Sequence, residues 1–321
     1  MSEEKEDALS NRFGFRTDVK IPDFLKETKF SLSAEVIPPR NGAEQGKVLE
    51  QIDALTKSGA DFLSVTKGAG GSLRGGSLPI AQTIKEGFQK PCIAHFTCRD
   101  LTPQEVENQL MDHHYFGVRN ILALRGDPPA DQPNWRPHEQ SLQYAYQLIG
   151  QIEKLNEGEF LQRPSDKEVS EREKTDFSIG AAAYPEHPNI QKRIEFFKIK
   201  VRAGADFGIT QMLFDPAVYA QFLELCDKES VDIPVLPGTL ILKSQLHAQK
   251  MAKRFGVQIS QDWMKALPDK SDPSQLDRQI EYFLAFVEKL KSYGAPGVHL
   301  FVLSDTISCS NALKYLSAKR Q

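Results

Sequence analysis

No run of the chain is long and apolar enough to span a bilayer, and the opening stretch MSEEKEDALSNRFGF carries no apolar segment of the secretory kind. The expected compartment is the cytoplasm. Cysteine is scarce. Cys92, Cys98, Cys226 and Cys309 include no CxxC pair, which argues against a disulfide framework or a zinc knuckle. Charge of neither sign prevails, with 40 basic against 43 acidic residues, and no basic block or basic-aromatic stripe marks a nucleic-acid footprint. These absences exclude membrane and nucleic acid as expected partners and leave a small molecule, with a homo-oligomer compatible.

What is present is alternation. Short β-branched or alternating runs (30–37, 61–66, 92–97, 118–124, 177–183, 207–213, 233–238 and 297–303) are followed by amphipathic stretches such as EQGKVLEQIDALTKSG, TPQEVENQLMDHHYFG, NIQKRIEFFKIKVRAG and DRQIEYFLAFVEKLKSYG. Strand and helix in turn imply a parallel sheet. Eight such units without a dinucleotide fingerprint fit a (β/α)8 TIM barrel better than a doubly wound sheet. The expected organisation is one barrel over 29–321. Residues 1–28 read as a loose or helical extension interrupted at Pro22, and 157–176 as a charged insert on the N-terminal face. Residues 256–276 read as irregular or helical.

In a barrel, reactive groups sit at the C-terminal ends of strands. Those ends supply Glu35, Thr66, His95 and Thr97, then Arg125 and Asp127, then Tyr184, Glu186 and His187, then Gln211. Alternation puts Ser31, Ser33 and Glu35 on one face and Phe30, Leu32 and Val36 on the other, so Glu35 is expected inside the barrel. A desolvated carboxyl has a raised pKa, as a general acid near neutral pH needs. Pairing of Glu35 with an Arg or Lys for structure stays open. Cys92, His95 and Cys98 are evenly spaced, yet His95 and Thr97 face away from both thiols, so no metal site is expected. The run KGAGGSLRGGS lacks Walker and GxGxxG spacing and reads as a rim loop. In NILALRGDPP, Gly126 permits close backbone approach, while Arg125 and Asp127 offer a cation and an anion at a strand terminus. A self-satisfied salt bridge is the plain alternative.

The blocks AEVIPPR, SVTKGAGGS, AHFTC, NILALRGDPP, AAAYPEHP, KVRAGADFGITQMLFD and PVLPG, in this order, resemble the methylenetetrahydrofolate reductase family over about 29–240, with a weaker echo at GVHLFVLSD. The resemblance implies a (β/α)8 barrel that binds FAD and uses NADH or NADPH to convert methylene-tetrahydrofolate to methyl-tetrahydrofolate by ping-pong hydride transfer. It implies Glu35 as general acid for opening the imidazolidine ring. It sets Asp127 as a second interior acid, near flavin and folate, favouring the cationic iminium. Thr66, Ala69, His95, Arg125, Gly126, Asp127, Tyr184, His187 and Lys200 match flavin-contacting positions, and Gln211 and His247 match folate-contacting ones. Departures accompany it. Val36, Ile37 and Lys67 stand where the family usually has aromatics, Met251 where a gating phenylalanine stands, Asp305 where an arginine meets the folate, and Arg193 where an acid contacts flavin. YPEHP is one residue shorter than usual. A protein electron donor, or a folate-binding barrel without reductase chemistry, stays open as an alternative. The resemblance covers only the catalytic barrel, so feedback by S-adenosylmethionine is not expected.

Overall fold

The computed structural model describes residues 14–39, 42–68, 75–129, 132, 134–162 and 174–320. Eight parallel strands close in sequence order into a barrel. They are β1 (Ser31–Val36), β2 (Phe62–Val65), β3 (Cys92–Thr97), β4 (Asn120–Leu124), β5 (Ser178–Ala183), β6 (Phe207–Met212), β7 (Val235–Thr239) and β8 (Gly297–Phe301). Helix α1 (Ile21–Glu27) precedes them. The crossovers carry α2 (Gln45–Lys57), α3 (Ser77–Gly87), α4 (Pro103–Tyr115), α5 (Ala145–Glu157), α6 (Ile190–Arg202), α7 (Pro216–Lys228), then α8 (Gln245–Phe255), α9 (Gln261–Ala266) and α10 (Leu276–Ser292) before β8. Helix α11 (Thr306–Ala318) follows β8. The (β/α)8 TIM barrel read from the alternation is the observed fold. Among the described residues no helix is long and apolar enough to cross a membrane.

Local signals explain several helix starts. Thr102 accepts from the Glu105 amide and Glu105 returns a carboxylate to the Thr102 amide, a capping box with Pro103 in the first turn. Asn189, Asp215, Ser244 and Asp305 cap α6, α7, α8 and α11 by a side-chain oxygen that accepts from one first-turn amide, without the reciprocal bond.

Strand alternation splits the core in two. Leu32, Ala34 and Val36 of β1, with Cys92, Ala94, Phe96 and Cys98, pack outward against the helices. Ile21 and Leu25 of α1 join Phe62, Ile93, Leu122, Phe207, Ile209 and Leu236 in a second cluster inside the barrel. Helix α1 is therefore the barrel floor: of the stretch read as a loose or helical extension, residues 21–27 are helical and belong to the core. Pro22 opens the helix rather than interrupting it, because the first turn has no intrahelical acceptor for its missing N–H.

The segment before α1 is hooked to the N-terminal ends of the strands. The Asp18 carboxylate accepts from the Cys92 amide (3.0 Å), the Val19 amide (2.9 Å) and the Asn120 side chain (3.2 Å). Asn120 Oδ1 accepts from the Ile21 amide at 2.8 Å. Gly117, at φ +72°, lies so close that a Cβ there would sit 2.4 Å from the Arg16 carbonyl oxygen. At the far end of α5, the charged stretch 157–176 falls in the helix-to-strand connection on this N-terminal side; its residues 163–173 lie outside the described ones.

Candidate active site

The inward residues change character from floor to mouth. Above the apolar floor, His299 of β8 shares its ring nitrogens between two serines, Nδ1 with Ser33 Oγ at 2.8 Å and Nε2 with Ser64 Oγ at 3.2 Å. Above these sit Glu35 and His95. Glu35 is in register with Ser64 on one side and Phe301 on the other.

Glu35 is 8% exposed, and burial pushes its carboxyl up to about 8. Among the described residues no cation offsets that burial. Its nearest titratable neighbour is His95, with Nε2 3.7 Å from Glu35 Oε2. Burial pushes His95 down to about 3, so the pair is a neutral acid beside a neutral imidazole, and the separation exceeds a hydrogen bond. The structural alternative for Glu35, pairing with Arg or Lys, is not what the geometry shows. His299 is likewise held neutral, pushed to about 3 by burial and then by the proximity of His95.

The loop after β4 forms one rim of the mouth. Arg125 and Asp127 are exposed, so Asp127 stands on the rim and not inside the barrel as expected; it lies past the last inward position of its strand. The two do not form the self-satisfied salt bridge: among the described residues the Arg125 side chain donates, from Nε, to the Gly126 carbonyl at 3.4 Å. Gly126 has φ +96°, and a Cβ there would fall 2.8 Å from Arg99 Cβ. Arg99, after β3, clamps this loop. Its amide donates to the Arg125 carbonyl (2.9 Å), its Nη1 donates to the Asp127 carbonyl (2.5 Å), and its Nε meets Asp100 (2.8 Å). Its guanidinium lies 5.4 Å from the Trp135 ring centre.

Tyr184, after β5, joins the rim. Its hydroxyl is raised above the usual range by burial first and then by Asp127's charge, opposed by Arg125's, which places all three side chains within one another's fields. Lys200 reaches back from α6, donating to the Ala182 carbonyl (2.7 Å), with Nζ 5.0 Å from the Tyr184 ring centre. Burial pushes Lys200 down to about 8.

Of the remaining expected positions, His187 and Gln211 line one cavity with Tyr184 and Glu186. His187 turns toward α6, edge-on to Phe196 at 5.7 Å, while its Nδ1 accepts from the Asn189 amide (3.1 Å). Gln211 projects from β6 beside a register shift, with Oε1 accepting from the Met212 amide at 2.9 Å. His247 lines a separate cavity on the β7–β8 side of the mouth. Ala69 lies outside the described residues. Among the departures, Lys67 turns outward, bonds Gln109 (2.7 Å) and covers the Phe96 ring at 3.9 Å. Met251 is buried in the outer core, and Arg193 donates from Nε to the His187 carbonyl at 2.7 Å.

Two buried polar atoms at the mouth, Thr66 Oγ1 and His95 Nε2, have no partner among the described residues. Buried polar groups are normally satisfied, so these two are available to the polar edge of a ligand. With a desolvated cation at Lys200, they fit a flat, hydrogen-bonding, phosphorylated cofactor of the flavin kind. His299 and Arg99 carry no motif signal. Only the shared inward face of Gly297, His299 and Phe301 points to the first, and nothing local points to the second.

A family model described as Methylenetetrahydrofolate reductase matches residues 20–317. The chain is 30% identical to the 5,10-methylenetetrahydrofolate reductase of Escherichia coli over 283 residues, covering 86% of this chain and 87% of that protein. It is 29% identical to Methylenetetrahydrofolate reductase 1 of Schizosaccharomyces pombe, covering 88% of this chain and 45% of that protein. It is 25% identical to Methylenetetrahydrofolate reductase (NADH) 1 of Arabidopsis thaliana, covering 89% and 48%. The chain thus spans about half the length of the yeast and plant relatives. A solved structure, described as an uncharacterized protein from Clostridium thermocellum that binds two copies of 5-methyl-5,6,7,8-tetrahydrofolic acid, aligns with a TM-score of 0.57 at 14% identity. That alignment covers 92% of this chain and 98% of that one, and the likeness speaks for the fold alone.

Proposed function

The chain belongs to the methylenetetrahydrofolate reductase family, and from that premise we propose that it reduces methylene-tetrahydrofolate to methyl-tetrahydrofolate in the cytoplasm, with FAD as cofactor and NADH or NADPH as donor. The observation that carries the reading is Glu35, a carboxyl that burial keeps protonated at neutral pH, at the C-terminal mouth of the barrel beside unpartnered polar atoms.

The residues that would hold the flavin are Thr66, His95, Arg125, Gly126, Tyr184 and Lys200, with Ala69 and His187 as flanking candidates. Bound there, it would supply the two-electron hydride chemistry that neither Glu35 nor Asp127 has. Glu35 donates a proton to the leaving ring nitrogen of the folate, and the neutral His95 beside it avoids drawing that proton away. Asp127 contributes a fixed negative charge on the rim, where a cationic iminium develops. Gln211, at the top of β6, offers an amide to the pterin edge. His299, tied to Ser33 and Ser64, keeps the layer beneath Glu35 rigid and without charge.

Anaerobic bleaching tests this reading. Holoenzyme is expected to be yellow, to lose its colour with reduced nicotinamide and to regain it with methylene-tetrahydrofolate. A colourless protein that takes up no FAD overturns the proposal; bleaching by a reduced redox protein but by neither nicotinamide replaces the donor.

The pH dependence follows from the raised pKa. Glu35 is active as the acid, so the folate half-reaction is expected to be flat through neutrality and to fall tenfold per pH unit above about 8. Single-turnover rates between pH 6 and 10 check this, and a limb near 4.5 would contradict it.

A further inference from the structure

Resting on that reading, we propose that Arg99 is a positioning residue for the folate half-reaction: its guanidinium holds Asp127 at the rim, and its loss slows the folate step through Asp127 while the donor step keeps its rate.

The β3 and β4 connections are joined at two levels, and the main chain makes the first. The Cys98 amide donates to the Leu124 carbonyl (3.1 Å) and the Arg99 amide to the Arg125 carbonyl (2.9 Å), so the ladder runs on past Thr97 and fixes the loop as far as Arg125. Next comes Gly126, at φ +96°, a joint with more rotational freedom than any other residue type allows. On its far side Pro128 stiffens the chain, since the residue before a proline is biased to extended backbone. What is left to set is the turn at Gly126. The Arg99 side chain sets it, donating from Nη1 to the Asp127 carbonyl at 2.5 Å.

The guanidinium is itself fixed from several sides. Asp100, at φ +61°, adopts left-handed backbone that aspartate tolerates better than most residues, and this curl brings its carboxylate to Arg99 Nε at 2.8 Å. The Trp135 ring lies against the guanidinium, 5.4 Å from its central carbon. Cys98 Sγ donates to the Leu142 carbonyl at 3.3 Å, so the segment that carries Trp135 is tied to the same connection. The Arg99 side chain is 8% exposed, and the Asp100 carboxylate compensates its charge there. A planar fork held in this way has one direction to point.

The two levels divide the work. Main-chain bonds hold Arg125, one of the residues that would meet the flavin, whereas the Arg99 side chain holds Asp127, whose charge reaches the Tyr184 hydroxyl and, in the reading above, favours the iminium. Removing the guanidinium frees the anion and leaves the cation in place. An arginine that merely supported the fold would not separate the two half-reactions.

The test is a double-mutant cycle of Arg99→Met with Asp127→Asn, read in single turnovers of each half-reaction. Methionine keeps the stem that packs on Gly126, where a Cβ would fall 2.8 Å from Arg99 Cβ, and loses the fork. Arg99→Met is expected to slow the folate step about tenfold and the donor step by less than about twofold. In the Asp127→Asn background the same substitution is expected to cost less than about twofold, because the charge it positioned is gone. Arg99→Lys, a donor without the fork, should fall between wild type and Arg99→Met. Amide exchange of the chain without cofactor is the second readout: Arg99→Met is expected to speed exchange within 125–127 and 134–142 about tenfold and to leave β3 and β4 unchanged. A tenfold cost that persists in the Asn background, equal slowing of both half-reactions, or unchanged exchange overturns the proposal. If Arg99→Met does not fold, Arg99→Lys carries the same cycle. If bleaching fails, the reductase reading falls, while exchange in the cofactor-free chain still decides whether Arg99 holds the loop.

Discussion

Replacement of Glu35 by Gln is expected to slow reduction of methylene-tetrahydrofolate by about two orders of magnitude or more while leaving reduction by the nicotinamide donor nearly normal. Gln keeps the shape and a hydrogen-bond donor but has no proton to release. The donor half-reaction asks for none. The split is diagnostic because no other acid stands beside this position among the described residues: His95 is pushed to about 3 and is neutral, too weak an acid to replace Glu35, and Asp127 is exposed on the rim. Stopped-flow measurement of the two half-reactions checks it. Equal slowing of both would mean that Glu35 shapes the site and does not act as its acid.

Stability offers an independent readout of the same residue. The folded pKa of about 8 lies above the ordinary 4.5, so folding favours the protonated form. Glu35's contribution is fully present below about 4.5 and is lost as pH rises through about 8. The Gln variant escapes this loss, and its melting temperature relative to wild type should climb between about pH 4.5 and 8 and level off above. His95 works in the opposite sense. Its folded pKa is depressed, so its contribution is present above about 6.5 and is lost as pH falls toward 3.

The second large effect belongs to the floor. Ile21→Asp is expected to destabilise the whole barrel by about 4 kcal/mol or more, because it puts an unpaired carboxylate into an apolar interior. Ile21 is fully buried and packs with Leu25 among six strand residues facing the barrel axis. The site most affected lies at the opposite end, so the readout is urea unfolding. A loss under about 1 kcal/mol would mean that α1 is docked but not part of the cooperative unit.

The comparison of these two residues shows what was legible. Glu35 could be placed inside the barrel from FSLSAEVI alone, because side chains alternate across a strand whatever surrounds it. The same logic set His95 apart from Cys92 and Cys98. Ile21 could not be placed. Seven residues with two buried apolar side chains are too short for a convincing helical period, and Pro22 looks like an interruption unless the helix is known to begin there. Asp127 was misread for a related reason. The residues after a strand no longer follow its alternation, and the direction of that loop is set by Arg99, which comes from a different connection.

From the sequence alone came the (β/α)8 architecture, its strand and helix positions and the inward face of β1, all of them consequences of periods of two and 3.6 that the backbone imposes locally. Tertiary structure alone decided that β8 closes against β1, setting Phe301 and His299 beside Glu35 and Ser33. It also decided that α1 seals the floor. Those juxtapositions join residues far apart in the chain, and they arise from barrel closure, in which every strand's register depends on all the others.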